Sequence, residues 1–520
     1  MSSAVVKPES VPRTESQSSI DEKPSSTATS LAPIGVLHSD AEGTLEEWTE
    51  QEERAARRKL DLFLMPLLML GFFVFQLERG NISSAVTSTL LEDVSITLDQ
   101  FNNGSTILYI FIVVLEIPSN VVLQRLGPQI WLSFQVLAFG TVATLQAFQH
   151  DYATYLATRA LLGVTECGYI PASLYVISTF YRRGEIARRT AFFFTGSYLA
   201  TACSGLLAYG ILQLDGKHGL AGWQWLFIVE GLMAVAVAVL FILLLPASPS
   251  RPTPLLFPRS SFFTERQRQI LMARVIADDK QKAASASKIT TKEIVAVVTN
   301  PRIWAHMLIT ITTIIPVSAL GLYQPRLIKS FGFDTLTANA LSSVGGWVGI
   351  VVLLSFGFIS DRTQKRGLSV IGALTFCWTF WVAFVAKSQS GEKWTRYALV
   401  VLVAAFMSVG HPMNVAWLSL NVKRPQHRSI ALACMIMSAN GAAALGPQIM
   451  RGNDAPKYKR GLTAAAVLVS GALLFAILQH LQYRWSNSRL EKLRKGSANV
   501  EEQEKHLSKN ESAQVDKYIE

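Results

Sequence analysis

Seven stretches of this 520-residue chain contain no aspartate, glutamate, lysine or arginine: Thr190–Leu214, Ile303–Pro325, Thr335–Ser360, Gly367–Ala386, Tyr397–Val422, Ser429–Met450 and Gly461–Tyr483. Each reaches the roughly 18–20 residues that a helix needs to cross about 30 Å of hydrocarbon. A soluble domain has no room to bury so many long uncharged runs, whereas a bilayer does. The composition agrees. Half the residues are hydrophobic and only 16% are charged, against about 25% in soluble domains. The chain therefore reads as an all-α polytopic membrane protein whose partner is the lipid bilayer.

Twelve spans are predicted, at about 61–81, 105–125, 130–149, 153–181, 189–213, 223–246, 303–327, 336–360, 367–387, 397–421, 429–449 and 462–483. Residues 1–59, rich in Ser, Pro, Thr and Glu at their start, are expected to be a disordered cytoplasmic tail. Residues 60–246 and 303–484 form two six-helix halves, and 485–520 a cytoplasmic C-terminal tail. The central cytoplasmic loop, 247–302, opens on Pro249, Pro252 and Pro254 and holds a mixed-charge helical piece at Glu265–Asp279.

A net charge of +11 in a soluble protein would suggest nucleic acid. Here the basic residues gather in particular loops, as the positive-inside rule requires, so no nucleic-acid partner is implied. The loop after span 1 has no Lys or Arg, whereas near-side loops carry Arg182, Arg183, Arg188 and Arg189, then Arg362, Lys365 and Arg366, then Lys423, Arg424 and Arg428. Both termini are placed in the cytoplasm on that ground. Residues 451–460 run against the rule, with Arg451, Lys457, Lys459 and Arg460 on the predicted outer side. Asn103-Gly104-Ser105 is a glycosylation sequon on that same side. Cys167, Cys203, Cys377 and Cys434 all fall inside apolar segments without paired spacing, so they read as small hydrophobes.

The halves echo one another. Span 4 runs from Gly163 and Pro171 into Arg182, Arg183 and Arg188; span 10 runs from Gly410 and Pro412 into Lys423, Arg424 and Arg428. Such parallel repeats characterise secondary transporters, whose substrate site lies at the midplane between the repeats.

Ionisable residues inside spans are costly, and each is a functional-site hypothesis by default. The first half carries Glu78 and Arg79 in span 1, Glu116 in span 2, Arg159 and Glu166 in span 4, and Glu230 in span 6. The second half offers neutral groups instead: His306, Gln324, His411, Asn414, Asn421 and Asn440. Arg159 and Glu166 are seven residues apart, so they share a helix face about 10 Å apart along the axis. Adjacent Glu78 and Arg79 point in different directions, one toward a partner helix and one toward a cavity. Arg79 is the candidate for an anionic substrate, since its planar fork stays charged and grips a carboxylate with two hydrogen bonds. Glu78 and Glu166 are candidate proton carriers, with Arg159 as their partner. Tyr175, Gln324 and Asn414 are candidate substrate contacts.

At these residues the sequence resembles the major facilitator superfamily across 60–485, and within it the fungal allantoate-permease branch of the anion:cation symporters. The matching segments are Leu77-Glu78-Arg79-Gly80-Asn81-Ile82, Glu116-Ile117-Pro118-Ser119-Asn120 with Arg125-Leu126-Gly127-Pro128, and Arg159–Gly168 with Pro171. They continue with Phe180-Tyr181-Arg182-Arg183, Gly222-Trp223-Gln224-Trp225 with Glu230-Gly231, and Ala416-Trp417-Leu418-Ser419-Leu420-Asn421. The resemblance implies the twelve-helix fold of that superfamily. It also implies carriage of a small organic anion such as nicotinate or allantoate, inward with protons. By the same resemblance Arg79 matches an arginine that contacts substrate carboxylate, Glu78 the neighbouring protonatable acid, Arg159 and Glu166 a span-4 coupling pair, and Asn440 a span-11 group lining the site. Glu78 departs from the usual Asp there. Glu116, Arg125, Arg182, Arg188, Asp361 and Arg362 are the candidates for a cytoplasmic latch. The loop after span 2 departs from the family's acid-and-twin-arginine form, whereas Ser360-Asp361-Arg362 keeps more of it.

The reading is thus a proton-coupled importer of a small organic anion, a monomer in the plasma membrane, with no cofactor. A proton antiporter exporting a metabolite or drug is the alternative within transport, disfavoured because span 5 lacks proline between Gly196 and Gly205. A non-transporting sensor is the alternative of another class, disfavoured by short polar tails. An enzyme is not expected, because no nucleophile–base pair, metal-ligand cluster or phosphate loop occurs at workable spacing.

Overall fold

The helix boundaries follow from capping chemistry. Thr49 opens span 1: its hydroxyl accepts from Glu52 N, and the Glu52 carboxylate takes Thr49 N in return. Thr97 and Gln100 do the same at the start of span 2, and Asp151 and Thr154 at span 4. Gly127, at φ 83°, closes span 2 where Pro128 begins span 3.

The computed structural model describes residues 48–257, 261–278, 291–389, 391–422 and 424–504. Among these are twelve helices long and apolar enough to cross a membrane: Glu50–Ala85, Leu98–Leu126, Pro128–Phe148, Tyr152–Phe180, Gly184–Leu212, Gly222–Leu244, Pro301–Ser330, Thr335–Thr363, Arg366–Lys387, Lys393–Asn421, His427–Ile449 and Lys459–Lys492. They are spans 1–12. Side chains such as Val114, Ile117, Leu161, Leu354, Phe358, Val467 and Leu474 stand exposed on the outside, as hydrocarbon demands. The protein is an integral multi-pass membrane protein.

The predicted tails need correction. Span 1 is helical from Glu50, so residues 50–59 are a structured extension rather than disordered tail. The last helix likewise continues from Lys459 to Glu504, through the first part of the expected C-terminal tail. The rest of both tails, 1–47 and 505–520, and Lys423 lie outside the described residues. In the central loop, helices Glu265–Asp278 and Thr291–Val298 stand either side of undescribed residues.

The first loop helix is pinned to the first half by charge. Arg274, fully buried, reaches Glu185 at 3.1 Å and Glu53 at 3.7 Å, while Arg182 meets Glu53 at 2.9 Å. Arg189 makes a two-pronged pair with Asp61, both bonds at 2.8 Å.

The packing differs between the two ends of the bundle. At the end away from the termini, one apolar cluster takes residues from both halves, Ile82, Phe101 and Trp223 with Tyr323, Trp381 and Tyr458. Toward the termini the core divides. One cluster belongs to the first half and its loop helix, including Leu68, Phe139, Tyr169 and Leu271. Two smaller ones, around Trp417 and around Met435, lie in the second half with the adjoining loop residue Val297. The halves are fused at one end and separately packed at the other.

Candidate functional site

Span 4 is not one helix. It runs Tyr152–Glu166, breaks at Cys167 and Gly168, and resumes at Tyr169–Phe180. Gly168 holds φ at 79°, and a Cβ there would collide with the Ser119 hydroxyl. The carbonyl freed by the break, Cys167 O, accepts from Ser119 Oγ at 2.8 Å and Gln135 Nε2 at 2.5 Å. Spans 2 and 3 thus supply the hydrogen bonds that the interrupted helix forgoes, which is the condition for broken helices at membrane depth.

The break leaves Glu166 at a helix end, fully withdrawn from solvent. Its Oε2 accepts from Arg79 Nε at 2.7 Å. Arg79 is partly exposed, with its guanidinium over the Phe75 ring at 4.4 Å. Among the described residues its two terminal nitrogens make no hydrogen bond.

Glu78, beside it in sequence, is 1% exposed, and its carboxyl lies against that of Glu166. Its Oε1 accepts from Gln146 Nε2 at 3.1 Å. Gln146 Oε1 in turn accepts from Arg159 Nη2. One polar chain results, Arg79–Glu166–Glu78–Gln146–Arg159. Arg159 and Glu166 do not pair with each other; each is held from a different helix.

Arg79 and Arg159 both line a cavity of about 250 Å³ between the halves. The first half adds Gln76, Ser83, Ser105, Tyr109, Thr201 and Ser204, and the second adds Ser318, Gln324 and Ser342. Most of these polar hydrogens are already committed. Gln76 donates to Ser197 Oγ and Gln324 to Ser342 O, while Ser83, Thr201, Ser204, Ser318 and Ser342 each donate to a backbone carbonyl. What remains is the Arg79 fork, a second N–H on each of the Gln76 and Gln324 amides, and oxygen lone pairs.

Other sequence candidates lie elsewhere. Asn414 is fully buried in a knot: its Oδ1 meets His306 Nδ1 at 2.7 Å, its Nδ2 donates to His306 O and Thr310 Oγ1, and His306 Nε2 meets Tyr483 OH at 3.0 Å. Its amide is engaged on both sides, and Asn414 lines no part of the cavity. Tyr175 is 39% exposed and lines no part of the cavity. Asn440 is likewise outside the cavity lining and donates to Glu116 Oε2 at 3.3 Å.

Of the latch candidates, Arg182 serves the loop-helix knot and Asp361 pairs with Arg366 at 2.5 Å. Arg125, Arg188 and Arg362 are exposed. Asn103 is exposed near the closed end, within hydrogen-bonding reach of Tyr152 OH and Gln448. Glu230 is buried beside Asn81, away from the cavity lining. All four cysteines are free. Among the described residues no group of three His, Cys, Asp or Glu is placed to hold a metal.

Sequence reasoning missed Gln146 and the serine lining. A search for ionisable residues passes over neutral polar side chains. Gln146 had one available signal, an amide inside a predicted span.

The family described as Major Facilitator Superfamily matches residues 68–447. The chain is 28% identical over 417 residues to an uncharacterised transporter of Saccharomyces cerevisiae, covering 80% of this chain and 77% of that one. It is 27% identical over 465 residues to an MFS-type transporter of Penicillium expansum, covering 88% of each. Among solved structures, a bacterial homologue of the human lysosomal transporter Spinster, inward-facing and occupied, superposes with a TM-score of 0.61 at 14% identity, covering 80% of this chain and 96% of that one. The Escherichia coli xylose transporter, partially occluded and inward-open, gives 0.60 at 14%, covering 79% and 96%. The twelve-helix fold and this match agree: the chain belongs to the Major Facilitator Superfamily and is a transporter of that type.

Proposed function

We propose that the protein carries a small organic anion into the cell together with protons, by alternating access, as a member of the allantoate-permease branch. The observation that carries this is Arg79. Its Nε is held by Glu166, its terminal nitrogens are unengaged, and it lines the cavity between the halves. A carboxylate arriving there finds a two-pronged donor already oriented. A proton on Glu166 weakens its grip on Arg79, so anion and proton occupancy are coupled through one side chain. Glu78 is the second proton carrier, linked to Arg159 through Gln146.

The lining offers oxygen lone pairs from Ser83, Thr201, Ser204 and Ser342, which accept the N–H groups that allantoate carries beside its carboxylate. With both termini cytoplasmic, the fused end faces outward and the separately packed end inward.

The test is uptake of labelled allantoate and nicotinate by yeast cells expressing the protein, at pH 5 and pH 7 with and without a protonophore. Accumulation of allantoate, greater at pH 5, abolished by the protonophore and no longer pH-dependent in Glu166→Gln, is expected. Uptake indifferent to the protonophore, or export without import, would overturn the reading.

A further inference from the structure

The hydrogen bonds joining the halves are unevenly spread along span 2. Its first turns are tied to the region around the end of span 11. Asp99 accepts from Gly452 N, Asn102 donates to Met450 O, Asn103 accepts from Gln448, and Thr106 donates to Ala444 O. Ten residues beyond Thr106, about 15 Å along the helix, Glu116 accepts from Asn440.

The cavity lies between these two levels. On span 2 its lining runs from Ser105 to Tyr109, and Glu116 stands two turns past Tyr109 toward the termini. Glu116 is buried, at 8% exposure, and forms no ion pair among the described residues, although Arg79 acts on it through space. A carboxylate at this depth is costly to keep, so its retained partner across the interface calls for a role.

Both residues also sit beside points where a helix yields. Pro118, two residues after Glu116, lacks the N–H that would close its turn of span 2. Gly441, next to Asn440, has open space where a side chain would stand. The tie therefore joins two helices beside a proline in one and a glycine in the other, residues that weaken a helix locally.

We propose that Glu116 and Asn440 form the gate between the cavity and the terminus-bearing side of the membrane. The bond closes the cavity toward that side, and it parts when cargo leaves. This deepens the transport reading and rests on it, but adds a residue pair and a direction. The pair is a positioning device. Neither side chain lines the cavity, and each acts by setting the approach of spans 2 and 11.

The experiment is hydrogen–deuterium exchange on the full-length protein in lipid nanodiscs without substrate, read in peptides spanning residues 110–126 and 427–445. Asn440→Leu removes the bond and is expected to speed exchange there about tenfold, the effect of losing one hydrogen bond to a charged group. Asn440→Asp sets two carboxylates against each other and speeds it further. Glu116→Gln combined with Asn440→Asp restores an amide–carboxylate pair with its polarity reversed, and exchange returns to the wild-type rate. Peptides over residues 98–106 stay unchanged throughout.

A static tie predicts that a cysteine placed at cavity residue Thr201 is reached equally by a thiol reagent from the terminus-bearing side in the wild type and in Asn440→Leu, whereas the gate predicts faster labelling in Asn440→Leu; equal labelling overturns the gate. So does wild-type exchange in Asn440→Leu. If Asn440→Asp alone does not fold, recovery of folding in the double variant reports the same pairing. Because no substrate is present, the outcome stands or falls apart from the identity of the anion.

Discussion

The two halves bury polar groups in opposite ways. The first half places two guanidiniums and two carboxylates around a broken helix, and both arginines reach the cavity. The second half buries a neutral knot of His306, Thr310, Asn414 and Tyr483, saturated by its own hydrogen bonds and packed edge-on against Trp417 at 4.9 Å. Span 10 stays helical from Lys393 to Asn421 in spite of Pro412, whereas its counterpart span 4 is interrupted. One repeat unit has become the charge-handling half. The other has become a wall that lends hydroxyls and amides to the cavity while its interior polar groups satisfy each other.

This contrast is open to direct attack. Arg79→Gln strikes the charged half where it meets the cavity. Uptake per molecule should fall by about 100-fold or more, since losing one partner of a buried charge pair costs about 2–5 kcal/mol; uptake within threefold of wild type would end the division of labour. Asn414→Leu strikes the neutral knot. It should cost about 1–3 kcal/mol of stability by orphaning the His306 and Thr310 partners, seen as a lower melting temperature in detergent. KM should stay within about twofold, because binding energy is not at stake there; a raised KM at unchanged stability would move Asn414 into the site. Tyr175→Phe should do least, leaving uptake and melting unchanged, because the hydroxyl of this exposed residue makes no contact with the cavity.

The fold was almost wholly legible in the sequence. Uncharged runs of bilayer length have only one economical outcome, and all twelve appear as helices. Even the basic segment 451–460 did not disturb the count, because it turns tightly at the closed end, where Gly452 meets Asp99. The site was legible in part, because charge inside a span is expensive enough to announce itself. Arg79 and Glu166 were found that way. Pairing was not legible, since helix spacing relates Arg159 to Glu166 along one helix but cannot say which neighbouring helix supplies a closer partner. Nor was the break in span 4, because Cys167-Gly168 looks unremarkable until Ser119 and Gln135 are seen holding the freed carbonyl. The helical ends at 50–59 and 485–504 were hidden by their high charge, which reads as solvated tail yet also suits helix surface.

The interruption at Gly168 has a mechanical meaning. A continuous rod would carry any twist of one piece straight to the loop at the far end of the other. Cut at mid-depth and clasped there by two neighbours, span 4 divides into a piece of fifteen residues bearing both Arg159 and Glu166 and a shorter one, Tyr169–Phe180, so the two need not move as one rigid rod.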